Sequence, residues 1–451
     1  MRTLLLAVGV GIGGTIGAEV AIAAEPQEID SEVVQAWRKA KAEYGYLFFD
    51  ATTSVLYSPE QLRPANLRGF YVDGPRFFFA ESKFVADRLP QPAVPFGIFW
   101  RVAPEKDLKG LLKFKQLQVL ALPETVLTTA GLKELAGFKD LKILDLTWSW
   151  LHGPGLKELA VLKELRTLNL SHIGMVDIDL TELVALGQLE NLSLAGVRPE
   201  RRERTGRSES PRDTIDTDLQ AVGALKKLQA LNLSSTAVTK VGLKELAPLN
   251  KLWELRLSDT RVTNDALNEL APLKNLQWLD LTHTGVTDSG LRALVGLNKL
   301  RTLALCNTRL TDDAMTHLAE LKQLETLYLS GTAVTGARMK ELATLERLRT
   351  LSLSDTKVSD DGLKEVASLK ELQTLHLFGN RMVTDAGLKE LAALHQLQTL
   401  DLRETGVKGP GLTHLAGLAQ LRKLYLDSDR VTRDSLAALR KALPHLIIDW
   451  H

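Results

Sequence analysis

The spacing of leucine limits what this chain can become more than any other feature. The pattern L-x-x-L-x-L begins at Leu117, Leu141, Leu165, Leu189, Leu228, Leu252, Leu276, Leu300, Leu324, Leu348, Leu372, Leu397 and Leu421, a step of 24 residues almost throughout. All three positions are leucine in all thirteen copies. Self-similarity at such a period is the mark of a chain that stacks one small unit many times.

Two periodicities inside the unit identify its parts. In LNLSSTAVTKVGLKELAPL (231–249), Leu231 and Leu233 alternate, which places them on one face of a short strand. Leu243, Leu246, Ala247 and Leu249 recur at helical spacing and line one face of a short helix. Between the two, most copies have threonine at the ninth position and an aliphatic residue at the eleventh, and then a stretch on the pattern Thr-Asp-x-Gly-Leu, complete at 287–291 and 384–388. Thr287 and Asp288 therefore suit a helix start, where their oxygens can accept from otherwise unpaired amides. A single unit cannot bury its leucines, whereas a right-handed stack with parallel strands can. Each buried leucine contributes roughly 1.5–3 kcal/mol, so stability grows rung by rung.

On these motifs the chain resembles the leucine-rich repeat family from residue 93 to its carboxyl end. The resemblance implies an α/β solenoid, a horseshoe with a parallel sheet on its concave face and short helices on its convex face. Many family members carry asparagine at the ninth position. Here Thr236, Thr260, Thr284, Thr308, Thr332, Thr356 and Thr405 stand there, with Asn380 the exception. That variation is similar to secreted bacterial members with Thr-Asp-x-Gly-Leu repeats, and its rhythm to the arrays of F-box adaptors, although no F-box is evident. A family of this kind implies a binding surface and not a particular partner.

The remaining segments fit around the array. Arg2 precedes an apolar, glycine-rich run (4–18), then Ala21-Ile22-Ala23 and polar 25–27, which reads as a cleaved secretory signal over 1–24. The run is short for a membrane span, with a retained anchor as the alternative. Export to the periplasm, cell envelope or exterior is expected, without stable membrane insertion after cleavage. Gly9, Gly11 and Gly14 spell GxGxxG inside this signal, with no preceding strand, so no dinucleotide site follows. Residues 25–92 hold seven of the twelve phenylalanines and four of the six tyrosines. They predict a cap with a helix over 31–44 and short strands. Stepping 24 residues back from Leu117 puts Ala93, Phe96 and Ile98 at leucine positions, a degenerate repeat over 93–116. The array extends to 445, with Leu436 and Leu439 on a last helix, and LIIDW supplies a closing strand at 446–451.

One interruption stands out. From Leu194 to Leu219 there are 25 positions where Leu233 to Leu243 uses 10, so fifteen residues, 198–212, are inserted between a strand and its helix. Arg198, Arg201, Arg202, Arg204, Arg207 and Arg212 lie in this polar segment, which predicts a mobile rim loop. It is either a neutral insertion or a basic arm for an acidic partner.

Charge and cysteine content exclude several functions. Lysine plus arginine (56) balances aspartate plus glutamate (55), leaving no global field to draw nucleic acid. Cys306 is the only cysteine, so there is no internal disulfide and no cysteine zinc cluster. It falls on the exposed side just after a strand. The histidines are scattered without metal-binding spacing, and no cofactor or metal is expected.

Candidate binding residues lie on the outward face of the strands. One group is Trp253, Glu254, Arg256, Trp278 and Asp280; another is Tyr328, His376, Phe378 and Tyr425. Such residues anchor interfaces because they bury much area for little lost rotamer freedom. Arg256 and Asp280 share a column on neighbouring rungs and either face a ligand or pair with each other. Trp148 and Trp150 follow the second strand and either cap a rung or grip a partner. A threonine column (Thr302, Thr326, Thr350, Thr374, Thr399) is either a regular hydroxyl surface or simply β-branched strand residues. Ser352, His376 and Asp401 occupy one column on three successive strands, the composition of a hydrolytic triad. Against that, the column offers no oxyanion hole, and an open, solvated sheet gives no reason for a shifted histidine pKa. The expectation is an exported, monomeric, non-catalytic protein that binds an unknown protein ligand. The alternatives are a structural envelope component with a polymer- or self-contacting face and a hydrolase using the Ser352 line.

Overall fold

A computed structural model describes residues 29–39, 43–46, 48–49, 56–57, 68–72, 89–176, 180–197, 215–428, 431 and 433–450. The expected signal (1–24) and the arginine segment (198–212) lie outside the described residues.

The leucine repeat builds one 17-stranded sheet. Strands Glu43–Tyr46 and Arg68–Val72 pair antiparallel, and every later neighbour is parallel, from Arg68–Val72 against Phe96–Trp100 to Lys423–Leu426 against Ile447–Trp450. From Ile143–Asp145 to Thr399–Asp401 each repeat gives a three-residue strand centred on its second leucine. Leu255, Leu279 and Leu303 thus stand side by side, fully buried. The helices return along the other side, some α as in Asp385–Leu391 and some 3-10 as in Asp288–Leu294.

The strands are short because the third leucine turns inward and the chain bends. Its carbonyl is then taken by the ninth-position hydroxyl: Thr236 donates to Leu233, Thr284 to Leu281 and Thr405 to Leu402, each at 2.6 Å. Asn380 does more, donating to Leu377 of its own rung (3.0 Å) and to Leu353 of the rung before (2.7 Å). The residue just ahead takes a left-handed conformation, as at Ser235, Asp259, His283 and Asn307, with φ of 54–56°.

The Thr-Asp-x-Gly-Leu motif links repeats as well as starting helices. Thr128, Thr239 and Thr384 do cap the amides two residues on. Asp288 instead reaches the next rung, accepting from Thr311 N (2.9 Å) and Thr311 Oγ1 (2.7 Å). Asp360 does the same with Thr384 (2.7 and 2.6 Å). The motif's glycine leaves room for that carboxylate, since a Cβ on Gly387 would collide with Asp360 Oδ1, and one on Gly242 with Asp216 Oδ1.

The ends differ from the sequence expectation in detail. The first helix is Ser31–Lys39, shorter than 31–44, because a strand already begins at Glu43. Its Trp37 is fully buried against the rings of Phe96 and Phe114, at 6.1 and 5.2 Å. The degenerate repeat is offset by 22 residues (120 − 98), because Ile98 pairs with Leu120 and the register shifts after Phe96. Phe96, Ile98 and Trp100 are fully buried while Ala93 is exposed, so aromatic rings fill positions that leucine fills elsewhere. Around the insertion the sheet is unbroken: Asn191–Ser193 pairs with Ala230–Asn232 in the common register. The last helix is Arg433–Ala442, and strand Ile447–Trp450 ends the sheet.

Candidate functional site

The outward residues of the strands are far less solvated than an open sheet suggests. Asp145, Asn169, Ser193, Glu254, Trp278, Tyr328, Ser352 and Asp401 are all buried. Rungs only about 4.8 Å apart bring side chains of one column into contact along the sheet.

In the first cluster Arg256 does not pair with Asp280. Its Nε donates to Glu254 Oε1 at 2.8 Å, and its guanidinium lies over the Trp278 ring, 5.3 Å from the centroid. Glu254, at 1% exposure, and Arg256 therefore form an ion pair shielded by an indole. Asp280 Oδ1 accepts from Thr282 N (2.9 Å), which braces the turn after its own strand. Trp253 is half-buried, on the step before its strand and outside the column of Arg256.

The second cluster centres on a residue the sequence reading missed. Arg403 holds Asp401 through two bonds, Nε to Oδ1 at 2.9 Å and Nη2 to Oδ2 at 2.6 Å. Its guanidinium faces both Phe378 (5.6 Å) and Tyr425 (4.9 Å), and Lys423 Nζ stands 4.6 Å from the Tyr425 centroid. Arg403 was overlooked because it sits one step past the third leucine, beyond the residues that point out of the strand. Tyr328 does not join this group: it is buried two rungs before His376, and burial raises its hydroxyl pKa.

The Ser352, His376 and Asp401 line does not assemble. Ser352 Oγ bonds Ser330 Oγ at 2.8 Å, His376 Nδ1 is 4.0 Å from Asp401 Oδ2, and Arg403 occupies both Asp401 oxygens. Four ångströms is too long for a hydrogen bond. Contrary to the open-sheet argument, the His376 pKa is lowered, first by burial and then by Arg403, with Asp401 opposing. Cys306 is half-buried instead of exposed, and burial pushes its thiol pKa up, away from thiolate reactivity.

The sequence reading also passed over a polar chain at the amino-terminal end. Asp145 Oδ1 accepts from Thr147 N (2.8 Å) and from the Thr147 hydroxyl; Asn169 Nδ2 donates to that hydroxyl (2.6 Å). Asn169 Oδ1 in turn accepts from Ser171 Oγ (2.6 Å), which meets Ser193 Oγ (2.7 Å). Burial pushes the Asp145 pKa up to about 6, against the opposing bonds from Thr147 and Asn169. The signal was present as polar residues on three consecutive rungs. Among the described residues no cluster of three or more metal-binding side chains occurs, and no helix is long and apolar enough to cross a membrane. The six arginines of 198–212 lie outside the described residues.

With this geometry in place, family comparison assigns the class. Residues 212–448, more than half of the chain, match the leucine-rich repeat region family, and residues 139–160 match the leucine-rich repeat. The chain belongs to the leucine-rich repeat family. Its fold is similar to that of an internalin from Listeria monocytogenes, with 19% identity, a TM-score of 0.54, and 77% of this chain and 88% of that one covered. A leucine-rich repeat protein of Leptospira interrogans gives 25% identity and 0.54, covering 78% and 89%. TLR13, solved in complex with ssRNA13, gives 20% identity and 0.55, and the match spans 80% of this chain but only 49% of that one. No curated protein matches.

Proposed function

We propose that the chain is an exported, non-catalytic scaffold that binds another protein through the carboxyl-terminal part of its concave face. The observation that carries this reading is the stack of Phe378, Arg403 and Tyr425, with Lys423 beyond it. Tyrosine and arginine are among the residues that dominate interface energetics, and aromatic side chains are enriched at interface cores. Because Asp401 already fixes Arg403, little side-chain freedom remains to be lost on binding. Export rests on the sequence of 1–24.

The charges of both clusters are largely paired within the chain: Arg256 with Glu254, Arg403 with Asp401, Lys423 with Asp449. An acidic partner would therefore be drawn by the arginine segment 198–212. The balanced charge of the chain supports a protein over a nucleic acid ligand. A structural envelope role draws support from Thr302, Thr326, Thr350, Thr374 and Thr399, which stand in register on five successive strands.

Trp278 and Tyr328 are poor test positions, since truncating a buried aromatic costs about 3–5 kcal/mol. Phe378→Ala and Arg403→Ala at the half-buried stack are better. Both should weaken partner capture at least tenfold while unfolding stays cooperative. Unchanged capture in both variants would overturn the reading, and sedimentation with envelope material regardless of them would favour the structural role.

A further inference from the structure

The two ends of the sheet are finished differently. At the amino end, helix Ser31–Lys39 lays Trp37 against Phe96 and Phe114, and strand Glu43–Tyr46 runs against the direction of the rest. At the carboxyl end, strand Ile447–Trp450 pairs on one side only among the described residues, with Lys423–Leu426. Ile447 is 64% exposed and Trp450 is 39% exposed. An open edge strand is usually blunted by lysine, proline or a bulge, because its unpaired groups can template another strand. Here the strand is IIDW in regular register, with Asp449 as its one charge and Lys423 Nζ 3.8 Å from that carboxylate.

The existing ladder fixes what this edge can accept. Ile447 N donates to Arg422 O at 2.9 Å, so the amides and carbonyls of Ile447 and Asp449 point into the sheet. Those of Ile448 and Trp450 therefore point out of it. The side chains divide the same way: Ile448 packs on the core beside Leu424, and Trp450 stands next to buried Leu426. Ile447 and Asp449 lie on the concave face, in register with Lys423 and Tyr425.

An antiparallel neighbour must bond through the outward-pointing residues. For a second copy of this strand, two registers do so and keep most of it paired. One sets Asp449 directly opposite Asp449 of the other copy, where like charges repel. The other sets Ile448 opposite Ile448 on the two-fold axis and brings Asp449 opposite Ile447. In that register Leu446, Ile448 and Trp450 meet Trp450, Ile448 and Leu446 on the core side. The ladder that runs Leu400, Leu424, Ile448 then passes into the other copy without a break. Any strand can add to an open edge; this one matches itself.

We propose that the chain forms a two-fold dimer by antiparallel pairing of Ile447–Trp450 with the same strand of a second copy. A stable interface buries roughly 1,200 Å² or more in total, which two short strands do not reach. The helix layer beneath contributes the rest: Ala437, Ala438 and Ala442 of helix Arg433–Ala442 are exposed, and side chains this small let a second helix come close. The dimer departs from the monomeric state expected from the sequence, and it does not rest on the binding reading. It places the Phe378–Arg403–Tyr425 stacks of both copies on one continuous concave surface, on either side of the two pairing strands.

Sedimentation equilibrium of the full chain at micromolar concentrations should give twice the chain mass, falling to the single mass on dilution. Ile447→Glu puts an acid opposite Asp449 of the other copy, while Lys423 stands beside it in its own chain. This variant should weaken the dimer at least tenfold and still unfold cooperatively. Ile448→Cys in a Cys306→Ser background should cross-link to a dimer on mild oxidation, because the two Cα atoms lie about 5.5 Å apart on the axis. Ile447→Cys in the same background should cross-link several-fold less. A single mass at every concentration overturns the proposal, as does a dimer that Ile447→Glu leaves intact or equal cross-linking at both positions. An open-ended series of larger species also overturns it, and would mean head-to-tail addition of the Glu43–Tyr46 edge.

Discussion

At the residue scale, the chain puts polar groups on the concave face at positions where water has largely been removed, and the consequence is measurable. Asp145 has a folded-state pKa of about 6, above the ordinary carboxylate value of 3.8. The folded chain therefore holds this proton more tightly than the unfolded chain does. For this group stability is greatest below about pH 4, falls as pH rises from about 4 to 6, and is level above that. The shift corresponds to on the order of 3 kcal/mol. Asp145→Asn keeps an acceptor for Thr147 but has no charge to bury. Urea unfolding at pH 4 and pH 7 should show the variant gaining on wild type by that order between the two conditions. A difference that stays constant with pH would contradict the buried-carboxylate account. The concave columns were legible from the leucine spacing, but their desolvation was not: it depends on neighbours a rung away filling the space between side chains.

At the element scale, the repeat motif acts between rungs. Thr384 receives Asp360 through two hydrogen bonds, and Gly387 is small because that carboxylate crosses it. Gly387→Ala should therefore destabilise by about 1–3 kcal/mol, chiefly by displacing Asp360 from Thr384. In an Asp360→Ala background the same glycine substitution should cost much less, a coupling that a double-mutant cycle in urea detects. Additive effects would mean that the glycine serves its own helix alone. The sequence shows that Thr, Asp and Gly recur at fixed spacing, yet a single repeat cannot show that the acid of one rung lies over the glycine of the next. The threonine at position nine is similar: its presence is evident, but its bond to the carbonyl three residues back becomes evident only when the chain turns. The degenerate first repeat was misplaced by two residues for a related reason. Phe96, Ile98 and Trp100 do the work of leucine there, and a register shift after Phe96 breaks the ruler.

At the scale of the whole molecule, the solenoid separates stability from recognition. A ladder of leucines, capped at one end by Trp37 against Phe96 and Phe114, holds the sheet, and the outward columns are free to vary. The leucine ruler made this architecture readable, including the uninterrupted pairing of Asn191–Ser193 with Ala230–Asn232 across the insertion. The candidate site was readable only in part. Phe378 and Tyr425 were found by their types, but Arg403, which joins them, was not, because its seat past the third leucine has no distinctive spacing. Ser352, His376 and Asp401 were found by spacing and then separated, because Ser352 bonds Ser330 and Arg403 holds Asp401. The central claim is that a protein partner meets the concave face near this stack. Photo-crosslinking in the native cell tests it directly, with the reactive side chain placed at position 378 and, for comparison, at position 364 on the convex helix Asp360–Val366. The account predicts one discrete protein adduct from position 378, lost on adding Arg403→Ala, and none from position 364. An adduct from position 364 alone, or one from position 378 that is indifferent to Arg403, would contradict it.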